Sequence, residues 1–131
     1  MLPDVARQIV LDCCLHDHLI KYELHAVVVM PDHVHVVLTP LVNEIKAEIY
    51  SLAEIMDAIK GASAHKINRA LSRRGKVWQT ESFDRVLRTS EKLDEKLRYV
   101  LDNPVRKCLV LKASDYRWSW AEDTDVGTRF V

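Results

Sequence analysis

The stretch Tyr22-Glu23-Leu24-His25-Ala26-Val27-Val28-Val29-Met30-Pro31-Asp32-His33-Val34-His35-Val36-Val37-Leu38-Thr39 sets the frame for the whole chain. Two β-branched runs, Tyr22 to Met30 and His33 to Thr39, are separated by the turn signal Pro31-Asp32. Such a pattern predicts two strands joined as a hairpin. Alternate strand residues point to one face, so His33 and His35 project side by side near the turn while Val34 and Val36 point away. Two imidazoles on one face of a rigid strand can share one cation. They can equally be ordinary strand residues at a partly wet surface, and this stretch by itself leaves both readings open. His25, on the first strand, reads as a core or edge residue.

Upstream, residues 4–19 read as a helix, with Asp4 at its cap or first turn and Val5, Ile9, Val10 and Cys13 on an apolar face. Downstream, residues 40–50 read as a connection with little pattern. Ser51-Leu52-Ala53-Glu54 fits a capping box. A long amphipathic stripe follows in Leu52, Ile55, Met56, Ile59, Ile67 and Leu71. Lys60, Lys66, Arg69, Arg73, Arg74 and Lys76 decorate this helix and its exit, and Arg85 and Arg88 follow. Side chains of this kind suit phosphate contacts or plain solvation. Val77 to Arg88 contains a third strand, and Trp78 reads as a core or groove-edge residue. A last helix is expected from about Ser90, with Leu93, Leu97, Val100 and Leu101 as its buried stripe. Tyr99 lies off that stripe, on the polar side with Glu95, Asp102 and Asn103. Pro104 disfavours helical geometry at Asn103, so the helix is expected to end there. Tyr116, Trp118 and Trp120 make the tail too aromatic to float free. From about residue 121 the end is expected to be loosely ordered.

A chain of 131 residues, 48% hydrophobic, with three Gly and four Pro, reads as one domain over residues 1–131 rather than a disordered polymer. Cys13, Cys14 and Cys108 match neither a disulfide framework nor a metal spacing. They fit a reducing compartment, so a cytoplasmic location is expected. No run approaches the length of a membrane span. Net charge is zero, which is unusual for a nucleic-acid binder. The charge is segregated, however: residues 1–59 carry a net −6 and residues 60–107 a net +7. The basic block holds Tyr99 and the long helix before it, and segregated charge can build a local anion-binding face.

The ordered set of motifs resembles a known family. Met30-Pro31-Asp32-His33-Val34-His35 comes first, then Ile59-Lys60-Gly61 with Ile67-Asn68. Val77 to Arg88 follows, then Tyr99 through Asn103-Pro104-Val105-Arg106 and Asp115-Tyr116-Arg117-Trp118-Ser119. Together they are similar to the single-tyrosine HUH transposases, in particular the REP-associated tyrosine transposases related to small insertion-sequence transposases. The resemblance spans about residues 5–120 and implies an α+β, ferredoxin-like fold: an antiparallel sheet with helices on one face. The family's usual first strand is absent ahead of the first helix, which would leave a sheet edge for the tail Val126 to Val131 or a partner chain to fill.

The resemblance also implies chemistry. Tyr99 would be the nucleophile, His33, His35 and Asn103 the ligands of Mg²⁺ or Mn²⁺, and single-stranded or hairpin DNA the substrate. Cleavage would pass through a 5′-phosphotyrosine, in transposition or the processing of REP elements. Relatives include dimers and monomers, so a homodimer is among the assemblies it allows. The short start keeps a second reading in view, a truncated relative that binds DNA hairpins without cutting. A third is a small partner-binding protein whose His pair is incidental.

Overall fold

A computed structural model describes residues 2–78, 83–87 and 93–122, and for residues 83–87 and Leu93 the backbone alone. The hairpin forms as the sequence indicates. Strands β1 (Tyr22–Val29) and β2 (Val34–Pro40) pair antiparallel, from Tyr22 opposite Pro40 to Val29 opposite Val34. The register slips between Leu24 and Ala26, a β-bulge that places an extra residue, His25, on one strand. Its consequence is a change of parity. Tyr22 and Leu24 share a face with Val27 and Val29, whereas Ala26, Val28 and Met30 line the other.

Both faces are covered. The first packs Leu24, Val27, Val29, Val34, Val36 and Leu38 against α1 (Asp4–His16) and α2 (Leu52–Ala70). The second packs Ala26, Val28, Met30 and Val37 against Leu97, Val100 and Leu101 of α3 (Leu93–Leu101) and against Tyr116. The α+β, ferredoxin-like character holds, but the helices do not all lie on one face as expected. A sheet whose two central strands are apolar on both sides must bury both, and β1 is buried at seven of its eight positions.

The four-stranded sheet runs β5-β2-β1-β6. β6 (Ser119–Ala121) lies antiparallel to β1, and β5 (Phe83–Leu87) lies parallel to β2. The β2–α2–β5 segment is thus a crossover, the kind of connection a parallel pair needs. Among the described residues no strand precedes α1. The outer edge of β1 is nevertheless paired, by Ser119–Ala121, which leave the aromatic tail directly after Trp118. The expected filler, Val126 to Val131, lies outside the described residues. Tyr116 anchors this return: it is buried, and its hydroxyl donates to the Val29 carbonyl at 2.6 Å.

Smaller differences have local causes. α1 stops at His16, not residue 19, because Asp17 leaves helical geometry and its carbonyl accepts from Ile20 and Lys21. The patternless connection contains a small ribbon, β3 (Val42–Asn43) with β4 (Glu48–Ile49), whose turn is tied by the Asn43 side chain accepting from the Ile45 and Lys46 amides. The Ser51 cap forms as read, its hydroxyl accepting from the Glu54 amide at 3.0 Å. Leu71 sits just past the end of α2 and is exposed, unlike the rest of that stripe. No helix among the described residues is long and apolar enough to cross a membrane.

The Tyr99 helix ends ahead of Pro104 as expected, but the chain's helical course resumes at once. α3 ends at Leu101, and α4 (Asn103–Arg106) begins at once with Pro104 in its first turn. Proline suits that position because its missing N–H would have no intrahelical partner there. The Asp102 carbonyl accepts from the amides of Val105 and Arg106, each at 3.0 Å. The expected helix start near Ser90 lies outside the described residues.

Candidate active site

The histidine pair sits at the mouth of the β1–β2 hairpin. The Met30 amide donates to the His33 carbonyl at 2.8 Å, closing the turn, and β2 starts one residue later. His33 therefore stands at the lip of the strand, and His35, opposite Val28, lies one step inside it. Their side chains converge. The two Nε2 atoms are 2.8 Å apart, and the ring centroids are 4.5 Å apart with the planes nearly perpendicular.

The neighbour that organises the pair is Asp32. His33 Nδ1–H donates to Asp32 Oδ1 at 2.5 Å. That bond from His33 is the main reason the Asp32 carboxyl lies below the ordinary carboxylate range. A carboxylate on Nδ1 fixes the tautomer: the His33 proton stays on Nδ1, and Nε2 presents a lone pair to the site. In the neutral pair, His35 Nε2–H donates to that lone pair. In the sequence Asp32 reads as a turn residue and as part of the Met30-to-His35 motif, with no role of its own; its position directly before His33 is the signal for this contact.

α3 and α4 bring the remaining residues. Leu97, Val100 and Leu101 clamp α3 on the sheet face that carries the histidines, so the polar end of the helix lies over the hairpin mouth. Asn103 is buried, and its Nδ2 donates to His33 Nε2 at 3.5 Å. Its Oδ1 accepts from Arg106 Nη2 at 3.4 Å. This orientation follows from chemistry, because a guanidinium has no lone pair to offer an amide N–H. Tyr99 is 64% exposed, off the buried stripe as its spacing indicated. Arg106 Nη2 donates to the Tyr99 carbonyl at 2.6 Å, and the guanidinium carbon lies 4.0 Å from the Tyr99 ring centroid. Arg106 thus touches both Tyr99 and Asn103, a connection the sequence did not reveal.

The donors suit a hard or borderline divalent cation. Two imidazole nitrogens converge, and an amide that can turn its oxygen toward them sits alongside. Rotation of the Asn103 amide and a proton shift on His35 to Nδ1 would aim all three ligand atoms inward.

The basic side chains are distributed differently. Lys66 and Arg69 on α2, and Arg73, Arg74 and Lys76 at its exit, are exposed, and Lys60 is half-buried. α2 covers the first face of the sheet, so the sheet separates that helix from the His33–His35 pair. Arg85 lies in β5, where only the backbone is described, and Arg88 lies outside the described residues. Trp78 is buried, its indole N–H donating to Ser63 Oγ at 2.8 Å, as a core residue would be. His25 sits at the other end of the hairpin. Its Nδ1 lies 2.6 Å from Glu122 Oε1 and its Nε2 2.8 Å from Thr39 Oγ1. With Glu23, His25 and Glu122 form a group whose ligand-type atoms lie within 4.8 Å of one another.

The converging His pair, with the end of α3 and the start of α4 over it, is the candidate site of this α+β domain. A family model described as "Transposase IS200 like" matches residues 6–102, and the chain belongs to that family. Membership places it among transposases, proteins that bind and act on DNA. The matched span contains His33, His35 and Tyr99 and stops one residue short of Asn103. No curated protein and no solved structure gives a significant match.

Proposed function

We propose that this transposase is a metal-dependent single-stranded DNA endonuclease and strand transferase acting on hairpin-flanked DNA, with Tyr99 as nucleophile. The observation that carries the proposal is the convergence of His33 Nε2 and His35 Nε2 at 2.8 Å, with Asn103 alongside on the same connection that presents Tyr99. His33, His35 and Asn103 would hold Mg²⁺ or Mn²⁺, which when bound supplies Lewis-acid polarisation of the scissile phosphate.

The chain's own residues do the rest. Asp32 keeps the His33 proton on Nδ1, so that Nε2 remains a ligand. Tyr99, exposed on the helix just ahead of Asn103, attacks the phosphorus in line through its phenolic oxygen. The new bond joins that oxygen to phosphorus; the bond to the upstream 3′-oxygen breaks. The phenolic proton leaves with the attack and a proton returns on the 3′-oxygen, giving a 3′-hydroxyl and a 5′-phosphotyrosine. No water is consumed, so another 3′-hydroxyl can reverse the step and join strands. Exposed Lys66, Arg69, Arg73, Arg74 and Lys76 offer phosphate contacts of the kind that position DNA without reading sequence.

The test is a denaturing gel of the protein with labelled hairpin-flanked single-stranded DNA and Mn²⁺. A covalent adduct is expected from the native chain and none from Tyr99→Phe, with hairpin affinity of the variant within about twofold of native, since only a hydroxyl is removed. Hairpin binding without any adduct would favour the non-catalytic, DNA-binding reading instead.

A further inference from the structure

We infer that Arg106 is a positioning residue that couples the tyrosine to the cation site by competing with the cation for the Asn103 side chain. The inference rests on the proposed roles of Tyr99, His33, His35 and Asn103. Arg106 has three contacts in one place: the Tyr99 carbonyl at 2.6 Å, the Tyr99 ring at 4.0 Å and Asn103 Oδ1 at 3.4 Å. The first two hold the guanidinium over the tyrosine ring. The third fixes the amide with its oxygen toward Arg106 and its N–H toward His33 Nε2. An amide has one oxygen, on the side opposite its nitrogen. While Arg106 holds that oxygen, the amide presents a donor to the histidines, and a donor cannot ligate a cation. Asn103 therefore serves Arg106 or the cation, not both in this orientation. Asn103 is buried, so little else competes for its oxygen, whereas Arg106 is exposed.

Removing Arg106 has two effects of opposite sign. The cation gains, because Asn103 no longer has to break a hydrogen bond to turn. Chemistry loses, because Tyr99 loses the cation over its ring and the donor on its carbonyl. Lysine separates the two contacts. An ammonium can still donate to the amide oxygen but has no planar face to stack on the ring.

The test is calorimetric titration of the DNA-free protein with Mn²⁺, for native, Arg106→Ala, Arg106→Lys and His33→Ala chains, beside adduct formation by the same proteins. Circular dichroism checks that each is folded. Native protein is expected to bind Mn²⁺ and His33→Ala to lose that binding. Arg106→Ala should bind roughly fivefold more tightly, the scale of one lost hydrogen bond, while forming adduct at least about tenfold more slowly, as for a misplaced nucleophile. Arg106→Lys should bind Mn²⁺ within about twofold of native and still form adduct slowly. Unchanged or weaker Mn²⁺ binding by Arg106→Ala, with native binding intact and lost in His33→Ala, overturns the Arg106 inference alone. Absence of Mn²⁺ binding by the native chain overturns this inference and the cation site together.

Discussion

The β1–β2 hairpin carries histidines at both ends, and the two ends are built to opposite purposes. At the closed end, half-buried His33 and His35 turn their Nε2 atoms toward each other, with Asp32 on the outer nitrogen of His33 and the Asn103 amide beside its inner one. At the far end, buried His25 has both nitrogens engaged, by Glu122 and Thr39. The Glu122 amide also donates to the His25 carbonyl at 3.0 Å, so the residue following β6 is fastened to β1 by main chain and side chain. The first arrangement brings two imidazole nitrogens to one point, as a ligand site needs. The second satisfies a buried polar group and locks an edge strand in place. Residue type alone does not distinguish them; burial and the kind of partner do, a second imidazole at one end and a carboxylate with a hydroxyl at the other.

The comparison breaks most sharply under alanine. His33→Ala is expected to lower Mn²⁺-dependent adduct formation by at least about a hundredfold, with thermal stability near native. His25→Ala should reverse the pattern. It leaves Glu122 and Thr39 without their partner and costs roughly 1–3 kcal/mol of stability, while the metal dependence of cleavage is retained. Chemical denaturation and the adduct gel read both quantities. Equal loss of metal dependence in the two variants would show that the ends are not separate in function.

A finer probe is Asp32→Asn. The side chain keeps its size but loses the charge that holds the His33 proton on Nδ1. A loss of about 10–100-fold in Mn²⁺ affinity is expected, measured by titration without DNA. Native affinity in this variant would mean that the tautomer is set by something other than Asp32.

The smallest effect concerns acid. Burial pushes the Glu122 carboxyl up, but hydrogen bonds with Glu23 and His25, and the nearby imidazoles, outweigh it and hold the group below its usual value of 4.5. A carboxylate depressed in the folded state stabilises fully above its unfolded pKa, and that stabilisation fades as pH falls through the native one. Glu122→Gln should therefore melt below native protein at neutral pH, with the gap closing below about pH 4.5. A gap independent of pH would assign Glu122 a role of shape and not of charge.

The sequence by itself determined the elements whose signals are local. Val-rich runs around Pro31-Asp32 specified the hairpin. Alternation put His33 and His35 on one face, Ser51 and Glu54 marked the start of α2, and helical spacing set Tyr99 apart from Leu97, Val100 and Leu101. Each of these depends on neighbours within a few residues. What only the tertiary structure decided depends on distant partners. The bulge at His25 flips the parity of β1, and nothing in the local sequence separates it from a regular strand. β6 closes the edge of β1 from nearly a hundred residues away. α3 takes the face opposite α1 and α2 because β1 and β2 are apolar on both sides. Arg106 reaches Tyr99 and Asn103 only because Pro104 opens a second helix where chain-local preference predicts a stop. A residue's conformational preference is a small energy, and packing of a buried amide and an apolar helix face outweighs it.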